Sequence, residues 1–385
     1  MAKLGDVCSL ITDGSHFSPK DIGTGYPMLS VKDMKEKDFS FDGCKHISEE
    51  DYQTLLRNGC QPKKGDVLLA KDGSYFKYAF IVEEERELAV LSSIAILRPK
   101  VDIIDPRYLR EFLMADSTYK TVSLNYISGT ALKRVILQGI KKINVPLPAI
   151  EDQRKIAEKF IKLDQLIALR KEQLAKLDQL VKSRFIELFG DIASCPKYDG
   201  VTLGTICTTL SGGTPTTKVP EYYAGDIPWI STPYLGNNHI NGSSAKAYIT
   251  EEAIKNSATH LIPANTIMFG IRVGVGKSSI IDEPMCANQD IVALMGIDTS
   301  KYNLLFVKHV LDAYQSHFNS IKKGATILGI TTEDLKKVLV PTVDVEIQNQ
   351  FAAFVEQIDK SKLAIQQSLD KLELLKKSLM QEYFG

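Results

Sequence analysis

Two segments of this chain are copies of one another, and that constrains its fold more than any other feature. Residues 128–190 align with residues 323–385 at a fixed shift of 195 without a gap, and 18 of the 63 pairs are identical. Gly129 meets Gly324, Lys141-Lys142 meet Lys336-Lys337, Pro146 meets Pro341, Glu151 meets Glu346 and Gln153 meets Gln348. Both copies finish on Phe-Gly, Phe189-Gly190 and Phe384-Gly385. A shared amphipathic bias would match apolar positions. It would not bring Gly, Pro and Phe-Gly into one register. The stretches before these segments correspond more loosely. Leu4-Gly5 resembles Leu203-Gly204, and Cys8 falls on Cys207. Pro27-Met28-Leu29-Ser30 resembles Pro228-Trp229-Ile230-Ser231, and Ile47-Ser48-Glu49-Glu50 resembles Ile249-Thr250-Glu251-Glu252. The shift drifts between 195 and 202, so loop lengths differ. A repeat of this size implies a duplicated architecture. The plan read from it is a globular domain at 1–150, a helix at 151–190, a second domain at 191–345 and a second helix at 346–385.

Each globular unit reads as α+β. Short β-rich runs such as Asp66-Val67-Leu68-Leu69-Ala70 and Thr266-Ile267-Met268-Phe269 lie between Gly, Pro, Asp and Asn turn signals. Residues 92–97 and 290–294 are further strands by the same signs, and apolar spacing predicts helix over 106–116 and 302–318. No apolar run approaches the roughly 18 residues that span a bilayer. The opening MAKLGDVCSL lacks the apolar core of a secretory signal. Six cysteines lie far apart with no Cys-x-x-Cys, which speaks against a zinc framework or a disulfide scaffold. The expectation is a soluble, cytoplasmic protein with reduced thiols. With 47 basic and 47 acidic residues, any attraction to nucleic acid must come from local patches.

The two helical segments are the clearest elements. Proline disfavours helix in the residue before it, and Pro146, Pro148 and Pro341 mark the two starts. In the first copy the heptad series Phe160, Ile167, Leu174, Val181, Leu188 is wholly apolar, while Ile156, Leu163, Arg170, Leu177, Arg184 carries two arginines. The second copy has Phe351, Ile358, Ile365, Leu372, Leu379 wholly apolar and Val355, Lys362, Leu369, Lys376, Tyr383 interrupted by two lysines. One full and one broken seam predict two helices packed on each other, with the long basic side chains snorkelling outward. At a rise of 1.5 Å per residue each would span roughly 58 Å, far beyond an ordinary core helix. The pattern predicts an elongated coiled coil of two long helices. Two unlike domains on such a strut suit a long ligand read at two places, and duplex DNA has half-sites roughly 34–36 Å apart per turn.

The doubled order resembles the specificity (S) subunit of type I restriction–modification systems. The residues carrying the likeness are Gly129-Thr130-Ala131-Leu132 with Pro146-Leu147-Pro148-Ala149-Ile150-Glu151-Asp152-Gln153, and Gly324-Ala325-Thr326-Ile327 with Pro341 and Glu346-Ile347-Gln348. Ala287-Asn288-Gln289-Asp290-Ile291 and the Gly-rich run Arg272-Val273-Gly274-Val275-Gly276-Lys277 resemble elements of its target recognition domains. Val343 stands in place of the second proline in copy two, and Leu91-Ser92-Ser93 in place of Asn-Gln-Asp in copy one. The likeness implies two target recognition domains that read an asymmetric, bipartite site on double-stranded DNA. It implies that the two long helices form an antiparallel coiled coil that sets the spacer and docks two methylation subunits, with restriction subunits added. It implies no cofactor in this chain: S-adenosylmethionine, ATP and Mg²⁺ belong to the partners.

The residues show no active site of their own. Gly276-Lys277-Ser278 ends like a P-loop, but the first glycine is replaced by Ile271 and the continuation reads as a strand. No Asn-Pro-Pro-Tyr or Asp-Pro-Pro-Tyr occurs, and the six histidines have no metal-ligand spacing. Phosphate contacts favour Lys, Arg, Ser and Thr, and base readout adds Asn and Gln. On that ground the DNA-binding candidates in domain one are Lys71, Ser74, Tyr75, Lys77, Lys133 and Arg134. In domain two they are Thr214, Thr216, Lys218, Tyr222, Tyr223, Arg272, Lys277, Lys322 and Lys323. Basic and acidic residues number 21 and 20 in 1–150, and 12 and 14 in 191–345, so much of the phosphate contact is expected from the methylation subunits. Two other readings stay open: a structural adaptor whose two modules bind only proteins, and a fused nuclease or methyltransferase.

Overall fold

A computed structural model describes residues 1–129, 133–245, 247–324 and 328–385. Thr130, Ala131, Leu132, Ala325, Thr326 and Ile327 of the two Gly-led motifs lie outside the described residues. The chain forms two compact units, Met1–Glu172 with Gln366–Gly385, and Gln173–Ile365. Each is a mixed α/β domain with half of each long helix.

In the first unit a four-stranded sheet runs in the order Cys8–Asp13, Ile94–Pro99, Val67–Ala70, Ala79–Ile81. Strand period two puts Val67, Leu69, Ala95 and Leu97 on one face and Leu68, Ala70, Ile94 and Ile96 on the other, and both faces are buried. That is why Val67–Ala70 is an unbroken apolar run. A second sheet pairs Tyr26–Leu29 antiparallel with Lys45–Ile47 and parallel with Ala89–Val90. The second unit repeats this with Thr266–Gly270 central in a five-stranded sheet, and Ile227–Ile230 between Ala247–Ile249 and Cys286–Ala287. The added edge strand is His239–Ile240, parallel to Ser278–Ile281.

Several sequence matches now have physical causes. Ser48 and Thr250 cap the helices Glu49–Arg57 and Glu251–Lys255 by accepting from Asp51 and Ala253, with acidic residues in each first turn. Gly5 and Gly204 lie under Lys141 and Lys336, where a Cβ would meet those residues at 3.3 and 3.1 Å. The segment 106–116 is the helix Pro106–Met114, followed after Ala115 by a second helix, Asp116–Asn125; the segment 302–318, read as one helix, is a broken pair, Leu304–Ala313 with Gln315–Ile321. Burial pushes the Cys8 thiol up to about 12, and those of Cys207 and Cys286 to about 11, so these sulfurs stay protonated and inert.

The long helices are Ile150–Phe189 and Val345–Phe384. Each enters through a fully buried glutamine. Gln153 Oε1 accepts the backbone N–H of Asp105 at 3.1 Å, and its Nε2 donates to the carbonyls of Ile103 and Pro148 at 3.0 and 2.9 Å. Gln348 does the same with Asn303 N–H at 2.9 Å and the carbonyls of Lys301 and Val343 at 3.0 and 2.8 Å. Asp105 and Asn303 in turn cap the helices Pro106–Met114 and Leu304–Ala313. One buried amide thus satisfies three backbone groups and ties each long helix to its domain.

Within each unit the two helix halves are antiparallel. In the first, Phe160 packs near Phe384, whose ring also meets Tyr108 at 5.2 Å and Phe112 at 6.0 Å. In the second, Phe189 meets Phe306 at 4.7 Å and Phe351 at 5.5 Å. The repeated terminal Phe therefore plugs the same slot twice. Lys376 and Lys362, expected to snorkel outward, instead cross to Asp164 at 2.5 Å and Asp178 at 2.7 Å on the facing helix. The carboxylates one turn away from the seam offer them a partner that water would otherwise supply.

Replacing Gln153 or Gln348 by Ala is expected to cost about 3–5 kcal/mol, because three backbone groups at the junction lose their partner; chemical denaturation measures it. A second expectation concerns pH. His309 lies against the edge of Phe351, at 5.3 Å, and burial lowers its pKa to about 4, with Asp312 opposing and Lys308 and Lys362 adding to the shift. Its folded pKa is depressed, so the unfolded chain takes up the proton first. The contribution is intact above about 6.5 and is lost as pH falls toward 4. His309→Phe should flatten that part of the stability–pH curve.

Candidate nucleic-acid interface

One hairpin is built twice on the two central sheets. In the first unit residues 71–78 join Val67–Ala70 to Ala79–Ile81, and in the second residues 271–277 join Thr266–Gly270 to Ser278–Ile281. The backbone bonds match at a shift of 200. Phe76 N donates to Ala70 O at 2.8 Å and Gly276 N to Gly270 O at 3.0 Å. Lys77 N donates to Ser74 O and Lys277 N to Gly274 O, at 3.0 and 3.1 Å. Phe76 and Gly276 both adopt positive φ, 54° and 91°. Glycine suits the second copy doubly, since a Cβ there would strike the Gln315 side chain.

The hairpin root is clamped between two other segments, again in both units. Lys71 N donates to Ser93 O at 3.0 Å and its carbonyl accepts from Val135 N at 2.9 Å. Ile271 N donates to Asp290 O at 2.9 Å and its carbonyl accepts from Ile330 N at 2.8 Å. This brings Lys133-Arg134 beside the first hairpin, where Gly73 N donates to Lys133 O at 2.8 Å and Arg134 bridges Asp72. It brings Lys322-Lys323 near the second through the Lys323–Gly329 bridge, Gly329 lying against Arg272. A third segment joins the second cluster: the Thr214 hydroxyl bonds Gln289 Oε1, and Gly213 O accepts from Trp229 Nε1 at 3.0 Å.

The fifteen sequence candidates divide by exposure. Ser74, Lys77, Lys133, Arg134, Thr214, Thr216, Lys218, Arg272, Lys277 and Lys323 are exposed, and Tyr75, Tyr222, Tyr223 and Lys322 are half-buried. Tyr75 stacks on Tyr119 with ring centroids 5.5 Å apart and hydroxyls 3.4 Å apart, and that bond, then one from Ser123, holds the Tyr75 phenol below its ordinary range. Tyr223 supports its loop by donating to Pro215 O at 2.8 Å. Arg272 stands 3.7 Å from Asp290. Lys71 differs from the rest: it is buried, its ammonium 3.3 Å from Asp13 and 3.2 Å from Asp72. Its counterpart in the second copy is Ile271, so the position is a core position.

Sequence reasoning passed over His16, which lies 3.4 Å from Asp13. Gly14 N to Ile94 O and Ser15 N to Val90 O repeat Gly212 N to Ile291 O and Gly213 N to Ala287 O, placing His16 where Thr214 stands in the second unit. Aligning Gly14-Ser15-His16 with Gly212-Gly213-Thr214 would have found it. Gln289 and Asp290 were read as a motif only, and the fold sets them at the hairpin root. The P-loop-like Gly276-Lys277-Ser278 leads into the strand Ser278–Ile281, not a helix N-terminus. Among the described residues no group of three or more His, Cys, Asp or Glu could hold a metal ion.

Lys71→Met should destabilise the first unit by about 3–5 kcal/mol, as expected when one partner of a buried ionic cluster is removed. Lys77→Met should stay within about 0.5 kcal/mol, being a surface change. Parallel melting curves separate the two roles.

A family model for the type I restriction modification DNA specificity domain matches residues 1–179 and again 197–375. The type I restriction enzyme MjaIX specificity subunit of Methanocaldococcus jannaschii is 30% identical over 44% of this chain and 40% of its own length. The EcoR124I/EcoR124II specificity subunit of Escherichia coli is 27% identical over 66% of this chain and 64% of its own. The chain thus spans about two fifths and under two thirds of these two relatives. The crystal structure of a type I restriction–modification S subunit from M. genitalium shares the fold, with a TM-score of 0.60 at 13% identity, covering 100% of this chain and 95% of that one. With both halves matched by the same model, the chain belongs to the type I restriction–modification DNA specificity family.

Proposed function

We propose that this chain is the DNA-reading, non-catalytic subunit of a type I restriction–modification complex. The observation that carries the reading is the duplicated hairpin, built on the same backbone bonds in two recognition domains whose exposed side chains differ. Two unlike readers imply an asymmetric, bipartite site, one block to each of the target recognition domains at 1–150 and 191–345. The exposed hairpin residues Ser74 and Lys77, then Arg272 and Lys277, together with Lys133, Arg134, Lys323, Thr214, Thr216 and Lys218, are the groups for phosphate and base edges. Tyr75, Tyr222 and Tyr223 shape these loops. The long helices at 151–190 and 346–385 set the unread spacer.

The same helices leave apolar surface that a two-helix seam does not use. Leu166, Leu169, Leu374 and Leu375 in the first unit, and Leu180, Ile186 and Leu363 in the second, are 44–68% exposed. Leucines on that scale fit docking by helical partners, and two methylation subunits are the partners this reading supplies, with restriction subunits joining them. S-adenosylmethionine, ATP and Mg²⁺ then reside on those partners. Among the described residues no helix is long and apolar enough to cross a membrane. The reading places the complex on DNA in the cytoplasm.

Mapping adenine methylation in the host with and without this gene tests the reading. One bipartite motif should vanish with the gene; an unchanged methylome would sink it. Removing one heptad from each long helix at facing positions shortens the strut by about 10 Å, and the unread gap in the methylated motif should shrink by up to about three base pairs.

A further inference from the structure

The two units differ at the junction between recognition domain and long helices. After the matching strands Tyr26–Leu29 and Ile227–Ile230, each chain makes a short turn, Val31–Asp33 in one and Thr232–Tyr234 in the other. The next residues are Lys35-Glu36-Lys37 in the first copy and Gly236-Asn237-Asn238 in the second. In the second unit they close the junction. Gly236 N donates to the Ser279 hydroxyl at 3.0 Å, Asn238 O accepts from Ile280 N at 2.9 Å, and Asn238 Nδ2 donates to Asp359 of the long helix at 2.7 Å. In the first unit the chain turns back on itself, with Lys35 N donating to Asp38 O at 2.9 Å and Met34 bridging Phe39. Asp164, the partner of Asp359 in the repeat, turns to Lys376 at 2.5 Å and Arg110 at 4.0 Å.

What remains in the first unit is an open groove of about 1300 Å³ between the recognition domain and both helices. Eight cations and five carboxylates line it. Lys376 and Lys171 are neutralised by Asp164 and Glu373, the latter at 3.0 Å. Lys35, Lys37, Lys77, Lys120 and Lys377 are all exposed, and none has an ion-pair partner among the described residues. In a chain of zero net charge this is a local positive excess. Lys77 belongs to the duplicated hairpin, so the groove runs from the recognition loop to the helices. Lysines are hydrated point charges on flexible stems, suited to phosphates whatever the base sequence.

We infer that this groove carries the sugar–phosphate backbone of duplex DNA beside the half-site read by the first recognition domain, and that the first half-site is therefore held by more sequence-independent contacts than the second. The inference rests on the DNA-reading role proposed above. The ligand chosen is DNA rather than an acidic protein segment because the groove is continuous with the hairpin that carries the recognition candidates.

The test is Lys35→Gln, Lys37→Gln, Lys120→Gln and Lys377→Gln combined, in the chain assembled with its methylation subunits. Affinity for a duplex carrying the host's methylated motif, and for a scrambled duplex, is measured across a salt series. Each phosphate contact contributes roughly 0.9 to the slope of log K against log salt. The slope should fall by about 2 to 3.6, with the ratio between the two duplexes kept. An unchanged slope, while both proteins still prefer the motif, overturns the groove assignment and leaves the DNA-reading role standing. Loss of methylation-subunit association on gel filtration, with an unchanged slope for what does assemble, overturns it in favour of a protein dock. No preference for the motif by the unaltered complex brings down the DNA-reading role, and the groove with it.

Discussion

A primary amide sealed from water at the first turn of each long helix is the interaction on which this architecture turns. Gln153 and Gln348 each meet one N–H and two carbonyls that have left regular structure at the border between domain and helix. Backbone groups leaving regular structure must be satisfied, and here the side-chain amide does it. A glutamine has one acceptor and one two-proton donor at a fixed separation, so it fits this trio in only one orientation. The domain cannot rotate on its helix without breaking all three bonds. A carboxylate would lose both donors, and an apolar side chain would strand the whole set.

Aromatic packing completes the same junction from the opposite strand of the helix pair. Phe384 beside Tyr108, Phe112 and Phe160, and Phe189 beside Phe306 and Phe351, give each recognition domain a second helix to rest on. Each unit is therefore completed by the helix that belongs, in sequence, to the other copy. The rim ion pairs Lys376–Asp164 and Lys362–Asp178 add register more than stability, since pairs of this exposure are worth about 0–1 kcal/mol.

On this frame the two copies have diverged in side chains more than in backbone. The hairpin backbone is kept, yet Lys71 with Asp13 and Asp72 stands in one copy where Ile271 stands in the other. A closed junction at Asn238 and Asp359 answers an open, lysine-lined one in the first unit. Loop side chains carry little of the core's stability, so they can change while the sheet and the helix clamps stay.

The sequence alone determined the duplication, the α+β character and the two long helices packed on each other, because periodicity, proline placement and an ungapped repeat are local or self-referring signals. It also marked Gln153 and Gln348 as a recurring pair without a reason for them. The hairpin residues were legible as a class, by type and turn context. Their neighbours were not: His16, Gln289 and Asp290 reach the hairpin root only because strands distant in sequence set loop ends side by side. Nor could the burial of Lys71 be foreseen, since a lysine's surroundings are decided by which carboxylates the fold brings to it. The tertiary structure alone decided that burial, the crossing of Lys362 and Lys376 to acidic partners and the groove of the first unit, for each depends on contacts between residues far apart in the chain, which composition and spacing do not encode.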